Sequence, residues 1–219
     1  VVALNADEFP VVIGGDHSVA IGTWSGVARA MGGPIGLLWI DAHLDSHTPE
    51  TSYSGAIHGM PLACLLGRGD KRLLNIGLTG AQVSPAHTVV IGPRSYEAEE
   101  LEFLQRMQVR IIDSDEIRRR GFADCLDEAI AIVVGAPAGS GITVDLDSID
   151  PQLAPGVGSP EPDGLVVHDV LEAMRRIGGL PGLKAMEIVE FNPDRDRHGT
   201  TAGLISDLIG ELLPPGNER

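Results

Sequence analysis

Six short, almost uninterrupted apolar runs punctuate this chain: PVVIGG (10–15), IGLLWID (35–41), HTVVIG (87–92), VRIID (109–113), GITVDLD (141–147) and KAMEIVEF (184–191). Apolar character without polar alternation suits strands buried on both faces, the environment of a parallel sheet. Between the runs, residues 17–31, 96–107, 114–135, 168–178 and 203–213 carry helical spacing and helix-forming residues. This alternation predicts an α/β fold in three layers, α/β/α, around a mainly parallel sheet. Gly/Pro clusters at 32–34, 154–164 and 178–182 are expected to be loops. No polar linker divides the chain, so residues 1–219 are expected to form a single domain.

In open parallel sheets ligands sit beyond the carboxyl ends of the strands. Here those ends are charged. IGLLWI runs into Asp41, His43 and Asp45; GITV into Asp145 and Asp147; KAM into Glu187 and Glu190; VVIGG into Asp16 and His17. Side chains at i, i+2 and i+4 of an extended segment point the same way, so Asp41, His43 and Asp45 converge. Four carboxylates around an imidazole repel one another, and a shared site drives one carboxylate pKa upward. A divalent cation, or a pair bridged by carboxylates, resolves the repulsion. The oxygen-rich, mixed O/N set favours Mn2+ over zinc. A turn or helix cap would account for one Asp-x-His-x-Asp, but less well for its recurrence after separate apolar runs. Glu187 reads as structural, Asp16 as ordering its loop through backbone N–H groups, and Asp150 as fixing the turn before Pro151.

Charge narrows the partners. Against 16 Lys+Arg stand 31 Asp+Glu, a formal net charge of −15. Such a surface argues against nucleic acid and against anionic membranes, and favours a small cationic ligand. No apolar run approaches the roughly 20 residues of a membrane span, and VVALNADEFP lacks the basic start of a signal peptide. Cys64 and Cys125 lie far apart with no Cys-x-x-Cys spacing, which excludes a zinc ribbon or thioredoxin motif. Two free thiols in a cytoplasmic protein are the expectation.

The segments GGDHS (14–18), DAHLD (41–45), SGAIHGMP (54–61), TVDLDSIDPQLAPGVGSP (143–160) and EFNP (190–193) resemble the signatures of the ureohydrolase family. That family includes arginase, agmatinase, guanidinobutyrase, proclavaminate amidinohydrolase and formimidoylglutamase. The motifs stand in the family's order. The resemblance implies an arginase-like fold and two Mn2+ ions per subunit. His17, Asp41, Asp45 and Asp145 would bind one ion; Asp41, His43, Asp145 and Asp147 would bind the other. A water between the ions would lose a proton near neutral pH and attack a guanidinium carbon, releasing urea and an amine. By the same resemblance Asp45 accepts a hydrogen bond from that nucleophile, His58 is the proton shuttle, Glu190 receives the guanidinium and Ser159 lines its pocket. Homo-trimers or homo-hexamers are implied as well.

Thirteen positions separate Asp45 from His58, a spacing that resembles the longer arginase loop, and EFNP resembles arginase's EVNP. The resemblance therefore implies hydrolysis of L-arginine to L-ornithine and urea, with Ser54 holding the substrate carboxylate and Glu97 the α-amino group. Two departures touch that end. His47 stands where arginase commonly has a carboxylate-binding Asn, and Ala56 stands where another Asn is usual. His47 can still donate one hydrogen bond to a carboxylate. Agmatinase or guanidinobutyrase-like activity, and a catalytically idle metal-binding relative, stay open as alternatives. Family members usually carry several tens of residues upstream of GGDHS, whereas here the motif starts at residue 14. A chain lacking the first strands, with an unpaired sheet edge, is the expectation.

Overall fold

The computed structural model describes residues 2–5 and 8–213. Positions 1, 6 and 7, part of the stretch read above as lacking a leader, and positions 214–219 lie outside the described residues. In chain order the elements are α1 (Val2–Asn5), β1 (Val11–Ile13), α2 (Val19–Met31), β2 (Ile35–Ile40), α3 (Pro61–Leu65), α4 (Lys71–Leu74), β3 (Val83–Ile91), α5 (Ala98–Arg106), β4 (Arg110–Ile112), α6 (Ser114–Arg120), α7 (Phe122–Val133), β5 (Ser140–Asp145), α8 (Val167–Gly178), β6 (Leu183–Val189) and α9 (Thr200–Leu212). One-turn 3-10 helices occupy Ile57–Gly59 and Leu146–Ser148.

All six apolar runs form strands. They pair in the order β1-β6-β5-β2-β3-β4, and every pair is parallel. β2 and β5 are buried along their whole lengths, as continuous apolar runs require. Successive side chains of β2 go to opposite faces. Leu38 and Ile40 join a core with Leu126 of α7, Met174 of α8 and Leu208 of α9. Leu37 and Trp39 join a second core with Trp24 of α2, Leu62 of α3 and Leu104 of α5. These two cores define the three layers. Trp24 reaches the sheet because β5 offers Gly141 beneath it: a Cβ there would lie 2.1 Å from the indole ring.

The segment 114–135 differs from expectation. It is two helices, α6 and α7, broken at Gly121, whose φ of 86° only glycine adopts without strain. Helical spacing continues across the break, so the pattern alone reads as one element. The pair is braced by Arg110, which donates to Glu116 (2.5 Å) and to Glu128 (2.6 Å). Among the described residues, no helix is long and apolar enough to cross a membrane.

With every strand running the same way, the carboxyl ends of β1, β6, β5, β2 and β3 open side by side. His17 follows β1, Glu190 follows β6, Asp145 ends β5, and Asp41 follows β2.

Candidate metal centre and active site

The floor of the site is built from strand ends. The Asp41 carboxylate is fixed from two sides: the Trp39 indole N–H donates to Oδ2 (2.7 Å) and the His43 backbone N–H to Oδ1 (2.8 Å). Asp145 Oδ1 accepts the Asp147 N–H at 2.9 Å. His17 stacks on Trp39, with ring centroids 4.2 Å apart and planes 15° from parallel. Asp45 and Glu190 hold φ values of 46° and 63°, a costly conformation for non-glycine residues that concentrates at functional sites.

Nδ1 of His17 lies 3.0 Å from Asp145 Oδ2, 3.1 Å from Asp41 Oδ2 and 3.1 Å from Asp45 Oδ2. One ring nitrogen carries at most one proton and cannot serve three carboxylate oxygens well. His43 Nδ1 lies 3.4 Å from both Asp41 Oδ1 and Asp147 Oδ2. The potential ligand atoms of this floor thus form two groups, His17/Asp41/Asp45/Asp145 and Asp41/His43/Asp147, each within 4.8 Å. Asp41 belongs to both; Asp145, expected in both, falls in the first. Among the described residues, Asp147 Oδ1 is buried with no hydrogen-bond partner. An orphaned buried acceptor costs about 1–3 kcal/mol, and a cation in the second group would satisfy it.

The electrostatics point the same way. Burial drives Asp45 up to about 7, with the nearby Asp41 charge adding to it. Asp145 is raised by burial and then by Asp147 and Asp41; Asp147 is raised chiefly by burial. Burial opposes the charge on Asp41 too, but hydrogen bonds from His17 and His43 outweigh it and hold that carboxyl below its usual range. Burial likewise works against the two imidazoliums, yet the carboxylates prevail, raising His17 and pushing His43 up to about 12. With all four carboxylates ionised, two imidazoliums would leave an excess of two negative charges, whereas two divalent cations with neutral imidazoles would cancel all four. The donor set fits a pair of hard or borderline divalent cations.

Beneath the floor, His17 Nε2 meets Thr143 Oγ1 (3.0 Å), and Thr143 donates to Glu187 Oε2 (2.9 Å). The Trp24 indole N–H donates to the same oxygen (3.1 Å). Glu187, read from sequence as structural, is wholly buried in this chain of contacts. An acid inside an otherwise apolar strand was the signal that could have found it.

Above the floor lies a cavity of about 240 Å³. His43, Asp45, Asp145 and Asp147 reach it from below, while His17 and Asp41 are sealed beneath. His58, Ser159 and Glu190 form one wall; His47, Glu97 and Glu100 form another. Glu190 Oε1 accepts the His17 backbone N–H (2.9 Å) and lies 3.3 Å from His58 Nδ1. Gly158 lets this carboxylate in, since a Cβ there would stand 3.0 Å from Oε2. His47 Nδ1 meets Thr51 Oγ1 (3.1 Å) and Nε2 meets Glu97 Oε2 (3.0 Å). The bond to His47 leads the causes that lower the Glu97 carboxyl. Ser54 does not line the cavity: it is exposed, and its hydroxyl accepts the Ala56 N–H at 3.1 Å.

Sequence reasoning passed over three neighbours. Glu100 anchors the loop after β2, its Oε1 accepting the Ser46 N–H at 3.0 Å. Arg94 and Glu161 border the His43 side. Asp16 and Asp150 act as their turns suggested, accepting the N–H of Ser18 and Gln152.

Comparison with known proteins agrees with this geometry. The sequence profile of the Arginase family matches residues 2–214. The arginase of Bacillus caldovelox is 41% identical over 206 residues, covering 94% of this chain and 69% of the relative. The crystal structure of arginase from Bacillus cereus superposes with a TM-score of 0.93 at 36% identity, over 99% of this chain and 74% of that one. Entamoeba histolytica arginase, solved in complex with L-ornithine, superposes with a TM-score of 0.86 at 33% identity, over 93% of this chain and 69% of that one. Profile match, superposed fold and sequence likeness over nearly the whole chain converge: it belongs to the arginase family.

Proposed function

We propose that this chain hydrolyses L-arginine to L-ornithine and urea at a pair of Mn2+ ions. The observation that carries the reading is that one cavity, lined by the Glu190–His58 pair, is floored by residues of both candidate cation groups. His17, Asp41, Asp45 and Asp145 would hold one ion and Asp41, His43 and Asp147 the other, with Asp145 proposed as a second shared ligand. The oxygen-rich donor set supports manganese. The chemistry such ions supply when bound is the acidification of water, which provides a nucleophile near neutral pH.

The chain's own residues do the rest. Glu190 receives the guanidinium through paired, charge-assisted hydrogen bonds and turns its carbon toward the floor. Asp45 accepts a hydrogen bond from the attacking water. A C–O bond forms at the guanidinium carbon, and the C–N bond to the rest of the substrate breaks. His58, with Nδ1 beside Glu190, carries on Nε2 the proton that the leaving nitrogen takes. Ser159 lines the guanidinium pocket. Glu97 faces the α-ammonium, an end that arginine shares with the L-ornithine held by the Entamoeba relative. The buried free thiols Cys64 and Cys125 support a cytoplasmic setting. Assembly as a homo-trimer or homo-hexamer rests on family resemblance.

A second reading, agmatine hydrolysis, is favoured by the far wall. Both ring nitrogens of His47 are engaged and Ser54 stands outside the cavity, so acids outnumber donors for a carboxylate there. The deciding experiment is urea release with Mn2+ from L-arginine, agmatine and 4-guanidinobutyrate. Highest kcat/KM on arginine supports the proposal, and highest on agmatine selects the second reading. No urea from any of them, with both ions bound, would identify an idle relative.

A further inference from the structure

We infer that Glu161 is the positioning residue of His43 and thereby sets how tightly the second cation group holds its ion; this rests on the two-ion reading above. The two nitrogens of His43 face different partners. Nδ1 looks into the cation group, 3.4 Å from Asp41 and from Asp147, while Nε2 lies 3.7 Å from Glu161 Oε1, within ion-pair reach. A metal-ligating histidine characteristically gives its other ring N–H to a carboxylate or carbonyl, which sets tautomer and ring orientation.

Glu161 is itself held in place. The Ser95 hydroxyl donates to the same Oε1 at 3.2 Å. Arg94 clamps the surrounding loop, donating from Nη2 to the Glu161 carbonyl (2.8 Å) and from Nε to the Pro162 carbonyl (2.8 Å). The same Nη2 donates to the carbonyl of Asp147 (2.8 Å), another member of the second group. One guanidinium thus ties the backbone of Asp147 to the loop that presents Glu161 to His43.

The two histidines are therefore supported unequally. His17 leans on Thr143 and Glu187, both wholly buried in the sheet. His43 leans on a loop residue whose side chain is 31% exposed. The second ion should accordingly be the more sensitive to that loop.

The test is stepwise Mn2+ titration of chelator-treated protein by calorimetry, with electron paramagnetic resonance reporting the spin-coupled ion pair independently of turnover. Wild type, Glu161→Ala, Glu161→Gln and the loop control Asp163→Asn are compared. Asp163 has a φ of 60°, which asparagine tolerates as well as aspartate. Glu161→Ala should weaken the second ion about 10–100-fold and lose the coupled signal at concentrations that saturate wild type, with the first ion unchanged. Glu161→Gln, which keeps an acceptor oxygen facing Nε2 but loses the charge, should recover part of the loss, and Asp163→Asn should match wild type. Unchanged affinities in Glu161→Ala overturn the inference. So does an equal loss at both ions, or a control that behaves like Glu161→Ala. A wild type that holds fewer than two ions overturns the two-ion reading itself.

Discussion

Thr143 Oγ1 lies 3.0 Å from His17 Nε2 and donates its own proton to Glu187, so what it offers His17 is a lone pair. A neutral His17 must then carry its proton on Nε2. That leaves the Nδ1 lone pair facing Asp41, Asp45 and Asp145, the orientation a metal ligand needs. Replacing the hydroxyl by a methyl group tests the relationship. Thr143→Val should lower Mn2+ affinity at the His17 group about 10–100-fold, with secondary structure retained by circular dichroism. An unchanged Kd would show that stacking on Trp39 alone orients the ring.

Cation binding should displace protons. The carboxylates around His17 and His43 raise both imidazoles against the opposing effect of burial, His43 to about 12, so a cation entering the site competes with protons held there. Mn2+ binding at pH 7 should release about one proton or more, and apparent affinity should climb with pH. Calorimetry in two buffers of different ionisation enthalpy counts the protons directly. Release of none would mean that the imidazoles were already neutral.

Glu190 should matter for every guanidino substrate, because it pairs with the group they share. Loss of a charged partner in a buried site costs roughly 2–5 kcal/mol. Glu190→Gln should therefore depress kcat/KM well over tenfold for arginine and agmatine alike. A loss confined to one substrate would place the guanidinium elsewhere.

Glu97 should discriminate by the far end of the substrate. Arginine and agmatine both carry an ammonium there; 4-guanidinobutyrate carries only a carboxylate. A hydrogen bond to a charged group is worth about 1.5–3 kcal/mol, so Glu97→Gln should cost the first two about tenfold or more in kcat/KM and spare the third. Equal losses on all three would assign Glu97 to loop geometry through His47.

Acid should loosen the α6–α7 brace. The hydrogen bond from Arg110, helped by Arg120, holds the Glu116 carboxyl at about 2, below its ordinary 4.5. A pKa depressed in the folded state contributes stability above 4.5 that is lost as pH falls from there toward 2. Glu116→Gln should lower stability at pH 7 by about 1 kcal/mol and flatten the fall of Tm between pH 5 and pH 2, scales set by that same carboxyl. Parallel Tm profiles for variant and wild type would assign the acid sensitivity to other groups.

Local pattern decided much of this protein. All six strands were legible because burial on both faces leaves a continuous apolar signature that does not depend on which strand lies alongside. Asp41, His43 and Asp45 were legible as a group because alternate positions of an extended chain share a side. Five motifs in family order then marked His17, His58, Asp145, Asp147 and Glu190 as candidates. Packing decided the rest. The order β1-β6-β5-β2-β3-β4 follows from crossover connections, and it alone brings Glu190 within 2.9 Å of the His17 N–H, 173 residues away in sequence. Glu187 reads as structural from sequence, and only the packing of β5 shows that it holds Thr143; Glu161 reads as loop, and only Arg94 shows that loop tied to Asp147. The sequence offered His47 as a donor to a substrate carboxylate, and only the docking of α5 and its cap shows Glu97 and Glu100 beside its Nε2. Periodicity and spacing are properties of neighbouring residues and can be read along the chain. A hydrogen bond between strands far apart in sequence exists only once the sheet has set their distance and direction.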